Sequence, residues 1–145
     1  MKLAVLNGPN LNLLGTREPA LYGTTTLADI EARLRAVGAE LGVDVSCVQH
    51  NGEGELIDAI HALRGNTDGA LINAGAYSHT SLALRDAFAA AEIPYVEVHL
   101  TNVYAREPER RHSMLAPGAR AVLCGFGADG YEWGLRGLVA LLRAS

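Results

Sequence analysis

Residues 2–23 read KLAVLNGPNLNLLGTREPALYG, a short apolar run followed by a longer polar segment. The apolar run, residues 2–6, has the composition of a strand that is buried on both faces of a parallel sheet. The polar segment contains five residues that break regular structure: Gly8, Pro9, Gly15, Pro19 and Gly23. It is therefore predicted to be a loop that leaves the carboxyl end of a core strand, where open α/β sheets bind their ligands.

The rest of the chain alternates apolar and amphipathic segments. Strands are predicted at residues 43–48, 69–73, 94–99 and 121–124, and helical spacing is clearest at residues 27–41, 56–64, 80–91 and 131–143. We interpret the pattern as five strands alternating with five helices in one doubly wound domain that covers residues 1–145. The usual strand order of such a sheet is 2-1-3-4-5, which opens a crevice between strands one and three. The loops after strands one, three and four are expected to meet there.

Composition excludes several classes of function. The 145 residues carry a net charge of −4 and no basic stripe, so nucleic acid is not an expected partner. No apolar run approaches the roughly 20 residues that a bilayer requires, and no signal pattern precedes the first strand, which predicts a cytoplasmic protein without membrane contact.

Motifs for a triphosphate and for a catalytic metal are also missing from the sequence. GxxxxGK[ST] does not occur, and the histidines show no HExxH spacing. Cys47 and Cys124 lie in apolar runs without CxxC spacing and are interpreted as buried thiols. Lys2 is the only lysine and is remote from every polar loop, which argues against Schiff-base chemistry. No metal and no cofactor are expected.

Tyr22 is the most informative residue of the first loop. A free phenol ionises near about pH 10, so it acts as a base at neutral pH only if a nearby cation stabilises the phenolate. Arg17 lies five positions upstream, and Arg110 approaches from a later loop. The alternative interpretation is an ordinary surface tyrosine.

Glu97 and His99 lie two positions apart at the end of strand four, so their side chains project from the same face. A carboxylate beside an imidazole fixes the tautomer of the ring and favours its acid-competent form. The alternative is a purely structural Glu–His pair.

Other loop residues offer hydrogen bonds to a ligand. Asn10 and Asn73 are turn formers or donors to an enolate or carboxylate. His79 follows Asn73 at the crevice, and Arg110 is either a solvated charge or a group that recognises substrate oxygens.

Four long motifs together resemble the type II 3-dehydroquinate dehydratases. They are LNGPNLNLLGTREPALYG (residues 6–23), NGEGELID (51–58), NAGAYSHTSLALRDA (73–87) and VEVHLTNVYAREPERRHS (96–113). The resemblance implies a flavodoxin-like α/β three-layer sandwich. It also implies a cofactor-free reaction of the shikimate pathway, the anti elimination of water from 3-dehydroquinate through an enolate to give 3-dehydroshikimate. It also implies a homo-oligomer, a dodecamer built as a tetramer of trimers.

The resemblance further implies a role for each matching residue. Tyr22 would be the base, assisted by Arg17, and Asn10 would hold a water that stabilises the enolate. His99, oriented by Glu97, would protonate the departing hydroxyl. The expected substrate-binding groups are Asn73, the backbone amides of Leu100 and Thr101, His79, Arg110, and Asp86 in a neighbouring subunit's site. Glu109 stands where the family often has an aromatic residue, and it is placed to pair with Arg110.

Two other interpretations stay open at this point. One is a flavodoxin-like module that binds a flavin or a phosphate, although the first loop is longer and more charged than a compact phosphate cradle. The other is a scaffold that has kept the fold and lost catalysis, although Tyr22, Arg17, His99 and Asn10 are all present.

Overall fold

The computed structural model describes residues 1–16 and 18–145, with the backbone alone at Tyr22. Its centre is a five-stranded sheet in the order β2-β1-β3-β4-β5, in which every neighbouring pair is parallel. The strands are β1 (Lys2–Asn7), β2 (Asp44–Gln49), β3 (Gly69–Asn73), β4 (Tyr95–His99) and β5 (Ala121–Cys124). The predicted α/β fold class and strand order are both confirmed.

The α-helices of the described residues are α1 (Pro19–Tyr22), α2 (Leu27–Leu41), α3 (Glu53–His61), α4 (Leu82–Ala91) and α5 (Asp129–Arg143). Helices α2 to α5 cover the two faces of the sheet. One apolar core lies between the sheet and helices α2 and α5, and a second lies between the sheet and helices α3 and α4. Among the described residues, no helix is long and apolar enough to cross a membrane.

Local sequence explains where α2 begins and ends. Thr26 caps the amino end by accepting a hydrogen bond from the backbone N–H of Asp29, whose carboxylate accepts one from the Thr26 N–H in return. Gly42 ends the helix in the left-handed conformation (φ 72°), which glycine adopts without steric cost.

The distribution of helices differs from the expected alternation. Two helices, α1 and α2, lie between β1 and β2, whereas residues 100–120, all of them described, form no α-helix between β4 and β5. That connection contains three short 3₁₀ turns: Val103–Ala105, Pro108–Arg110 and Ala116–Gly118. Pro108 and Pro117 each fall in the first turn of such a segment, where proline is tolerated. A longer α-helix that continued through either proline would lack that residue's backbone N–H donor in its interior.

The prediction that both thiols are buried is wrong. Cys47 and Cys124 are only partly buried, because they lie in β2 and β5, the two edge strands of the sheet. An edge strand lacks a neighbour on one side and is less covered than a central strand. The remaining burial still raises the pKa of the Cys47 thiol to about 11.

Candidate active site

A pocket opens at the carboxyl ends of β1, β3 and β4, and the segments that follow these strands form its three walls. The first wall includes Pro9, Asn10 and Leu11. The second includes Asn73, Gly75, Ala76 and His79, and the third includes His99, Leu100, Thr101, Val103, Arg106 and Arg110. The expected meeting of these three loops is therefore confirmed.

Two glycines allow the first and second walls to approach closely. A Cβ on Gly8 would lie 2.4 Å from the carbonyl oxygen of Ala74, and one on Gly75 (φ +59°) would lie 3.1 Å from that of Pro9. The backbone N–H of Gly8 donates to the carbonyl of Asn73 at 2.8 Å. These two loops are thus joined backbone to backbone beside the pocket.

Asn10 is held in an unusual backbone conformation (φ 70°). Its N–H donates to Oδ1 of Asn51 at 3.1 Å, and the same oxygen accepts a bond from Nε2 of Gln49 at 3.0 Å. Gln49 Nε2 also donates to the carbonyl of Gly8 at 3.0 Å. The end of β2 therefore fixes the turn that carries Asn10, whose side chain is exposed at the pocket.

Asn73 is held in place by a buried hydrogen-bond network. Its Nδ2 donates to the hydroxyl of Tyr131 at 2.9 Å, and that hydroxyl donates to Oδ1 of Asn7 at 2.6 Å. Its Oδ1 accepts the Gly75 N–H at 3.2 Å. A side-chain amide has two N–H donors, so the bond to Tyr131 leaves one for a ligand. Full burial raises the pKa of the Tyr131 phenol, which keeps it a neutral donor.

Glu97 and His99 form a direct pair at the base of the third wall. Nε2 of His99 lies 3.1 Å from Oε1 of Glu97. His99 is 7% exposed and Glu97 is 0% exposed. Oε1 also accepts a hydrogen bond from the hydroxyl of Ser113 at 2.5 Å. The carboxylate therefore faces one ring nitrogen of His99, as their spacing in the sequence predicted.

His79 stacks on His99, with ring centroids 6.0 Å apart. Its Nδ1 lies 2.8 Å from the carbonyl oxygen of His112, and because a carbonyl can only accept, Nδ1 carries the proton. Burial is the main cause that lowers the pKa of His79, with His99 and Arg110 contributing repulsion. Its other nitrogen, Nε2, is consequently an acceptor at neutral pH.

Two arginines supply positive charge to the pocket. Arg106 lies 3.5 Å from the hydroxyl of Thr101, and Arg110 pairs with Glu107 through its Nε. The Arg110 guanidinium lowers the pKa of the Glu107 carboxyl. The expected partner Glu109 does not occur among the ion pairs of the described residues, so that part of the sequence interpretation is wrong. Residues i and i+3 lie on one face of a 3₁₀ turn, so Arg110 lies beside Glu107, three positions earlier, and pairs with it instead of with its neighbour Glu109.

The structure does not place three of the candidate residues at the pocket. Asp86 is exposed on α4 and does not line this pocket. Arg17 and the side chain of Tyr22 lie outside the described residues, and only the backbone of Tyr22, the last residue of α1, is described.

Sequence reasoning missed the supporting residues Ser113 and Tyr131 and did not assign Arg106 to the site. Arg106 had a usable signal, since it is a cation in the loop after strand four. Ser113 and Tyr131 reach Glu97 and Asn73 only through tertiary packing, and their positions in the sequence gave no local signal.

Comparisons with known proteins agree on one family. The family model described as "Dehydroquinase class II" matches residues 1–139. A protein named 3-dehydroquinate dehydratase from Gemmatimonas aurantiaca is 66% identical over 143 residues, covering 99% of this chain and 94% of that protein. A protein of the same name from Jannaschia sp. is 57% identical over 143 residues, with 99% and 97% covered.

Solved structures give the same result. The type II dehydroquinase from Propionibacterium acnes is similar with a TM-score of 0.91 and 41% identity, covering 96% of each chain. A 3-dehydroquinate dehydratase-like protein from Bifidobacterium longum is more distant, with a TM-score of 0.73 and 28% identity over 98% of each chain.

Proposed function

This chain belongs to the class II dehydroquinase family, and we propose on that basis that it is a hydro-lyase of the shikimate pathway. Its proposed reaction removes water from 3-dehydroquinate to give 3-dehydroshikimate. The observation that carries this proposal is the buried Glu97–His99 pair at the base of a pocket formed by three strand-end loops. That arrangement presents an oriented imidazole to a small polar ligand.

The first proposed step is removal of a proton from the carbon next to the ketone by the phenolate of Tyr22. Using a free phenol as a base at pH 7 costs about 4 kcal/mol, and the guanidinium of Arg17 would reduce that cost by stabilising the phenolate. The electron pair of the broken C–H bond moves onto the ketone oxygen, which gives an enolate. Asn10 supports this step by holding a water that donates to the enolate oxygen.

In the second step the enolate collapses and the C–O bond to the leaving hydroxyl breaks. The leaving oxygen takes a proton from His99 and departs as water, which gives the conjugated enone. Glu97 orients the ring through Nε2, so Nδ1 would deliver the proton. His79 is less suited to this role, since its lowered pKa leaves it neutral and Nδ1 is bonded to a carbonyl.

The remaining residues bind the substrate in this proposal. The second N–H of Asn73 and the backbone N–H groups of Leu100 and Thr101 bind the carboxylate. His79 and Arg110 contact ring hydroxyls. The reaction balances as loss of one proton and one hydroxide, which leave together as water, so it requires no oxidant or reductant.

Assembly is part of the proposal, because Asp86 is expected to act at a neighbour's site. A dodecamer made of four trimers would bring an exposed α4 residue beside another subunit's pocket. The cytoplasm is the proposed location, where the substrate of a biosynthetic dehydratase would be found.

The test is turnover of 3-dehydroquinate, followed by the ultraviolet absorbance of the enone product. Wild type should form product, and Tyr22→Phe should nearly abolish it while keeping the fold, since only the hydroxyl is deleted. A folded wild-type protein without turnover would overturn the proposed activity. A colourless preparation would also argue against the flavin-binding alternative, and a yellow one would favour it.

A further inference from the structure

We infer that Ser113 is a positioning residue that fixes the Glu97 carboxylate and, through it, the ring of His99. The consequence for catalysis rests on the proposed function, whereas the effect on the His99 ring follows from geometry alone. Ser113 is half-buried between the second and third 3₁₀ turns of residues 100–120 and is not one of the residues that line the pocket.

The direction of the Ser113 hydrogen bond is imposed by the backbone. The hydroxyl oxygen accepts the N–H of Leu115 at 3.1 Å and that of Ala116 at 3.0 Å. A hydroxyl has two lone pairs and one proton, and these two bonds occupy the lone pairs. The proton is therefore directed at Oε1 of Glu97, 2.5 Å from the hydroxyl oxygen.

Glu97 depends strongly on the few partners that it has. Glu97 is 0% exposed, and its Oε1 faces both the Ser113 hydroxyl and Nε2 of His99. The other oxygen, Oε2, has no hydrogen-bond partner among the described residues. A buried carboxylate is costly unless it is hydrogen-bonded, so losing one of these contacts should change where the carboxylate rests. A shift of the carboxylate would move the ring of His99 with it.

The segment around Ser113 has other anchors that hold its backbone. The Met114 N–H donates to the carbonyl of Ser78 at 2.7 Å, and the Tyr95 hydroxyl donates to the carbonyl of Leu115 at 2.5 Å. Neither bond uses the Ser113 side chain. Ser113→Ala removes the donor to Glu97 and also the acceptor of the Leu115 and Ala116 N–H groups, so its Tm should fall. The two remaining anchors should still let the variant fold with the loop in place.

Three variants separate positioning from loop stability. Ser113→Ala deletes the hydroxyl, and Ser113→Thr retains it as a conservative rescue. Tyr95→Phe is the matched control, because it removes a hydroxyl that holds the same loop at Leu115 and that donates no hydrogen bond to Glu97. Each variant is compared with wild type for kcat, for KM and for the nitrogen-15 NMR signals of the His99 ring.

Ser113→Ala should lower kcat by about 10- to 100-fold with KM nearly unchanged, because a misplaced acid slows the proton transfer more than it weakens binding. It should also shift the His99 ring signals. Ser113→Thr should recover most of the activity and the wild-type ring signals. Tyr95→Phe should lower the Tm while kcat and the ring signals stay close to wild type.

Unchanged kcat and unchanged ring signals in Ser113→Ala would overturn the inference. So would an equal loss of kcat in Tyr95→Phe, which would show that loop anchoring alone matters. A wild type that fails to turn over 3-dehydroquinate would refute the proposed function instead, and the NMR comparison would still decide whether Ser113 sets the His99 ring.

Discussion

At the scale of single residues, two stacked imidazoles have different partners and therefore different chemistry. His99 faces a buried carboxylate, whereas Nδ1 of His79 donates to a backbone carbonyl. A carbonyl fixes the tautomer of His79 without adding a formal charge, and burial lowers its pKa. The pocket thus contains one neutral acceptor and one imidazole paired with an acid.

His79 also predicts a pH dependence of stability. Its pKa in the folded protein lies below its ordinary value of 6.5, so the unfolded chain binds more protons as the pH falls through that value. The contribution of His79 to the free energy of unfolding should therefore decrease as the pH falls below about 6.5.

Urea unfolding of wild type and His79→Gln between pH 7 and pH 5 measures this contribution. Between pH 7 and pH 5 the free energy of unfolding should fall less in the variant than in wild type. A difference in stability between the two proteins that does not depend on pH does not affect this comparison. A variant that loses the same amount or more would contradict the assigned direction of the pKa shift.

At the same scale, sequence spacing correctly predicted that Glu97 and His99 share a face, because alternation along a strand is a local property. It could not reveal Ser113, which is 16 positions away and reaches Glu97 only after residues 100–120 have folded. The prediction that Arg110 pairs with Glu109 was wrong for a related reason. Whether Arg110 pairs with Glu107 or Glu109 depends on a 3₁₀ turn that the sequence pattern did not indicate.

At the scale of elements, α5 supports the pocket from outside it. Tyr131 in the first turn of this helix joins Asn7 at the end of β1 to Asn73 at the end of β3. The two asparagines are directly opposite in the parallel register of these strands. One hydroxyl therefore links three elements at the edge where the pocket opens.

Tyr131→Phe should destabilise the protein by about 1–3 kcal/mol, because it leaves buried amide groups of Asn7 and Asn73 without their partner. It should also raise KM for 3-dehydroquinate, since Asn73 loses one of the two hydrogen bonds that hold its side chain. Urea denaturation and steady-state kinetics measure the two effects. Tyr104→Phe is a suitable control, because Tyr104 is 64% exposed and the same change there should have little effect on stability. Equal stabilities for the Tyr131 and Tyr104 variants would contradict this role of α5.

The element pattern was predictable where periodicity was strong. β3 and β5 match the predicted bounds, and α2 lies within the predicted caps. Residues 100–120 were harder to predict, since their prolines and charges fit neither period, and tertiary contacts decide their conformation.

At the scale of the whole molecule, the parallel sheet explains why residues from distant parts of the chain meet. The carboxyl ends of β1, β3 and β4 lie at one edge, so Asn10, Asn73 and His99 share a pocket although 89 positions separate the first from the last. This convergence was predictable from the order of strands alone. Contributions from another subunit were not, and they stay a prediction from the family resemblance.

Subunit mixing tests whether Asp86 acts in a neighbour's site. Asp86→Ala and Tyr22→Phe should each be nearly inactive alone. If the two are denatured together and refolded, hybrid oligomers should regain part of the wild-type activity, because some sites then receive both intact residues. Activity no higher than that of the separately refolded variants would show that each subunit carries a complete site.

The proposed mechanism is an anti elimination, in which Tyr22 as base and His99 as acid act on opposite faces of the substrate. The test uses 3-dehydroquinate with one deuterium on the carbon between the ketone and the carbon that bears the leaving hydroxyl. The deuterium is on the face opposite that hydroxyl. Mass spectrometry of the product then reports which hydrogen the protein removes. An anti elimination removes this deuterium, so the product should lack it and the reaction should be slower than with unlabelled substrate. Retention of the deuterium in the product would mean syn elimination and would contradict the proposed placement of Tyr22 and His99.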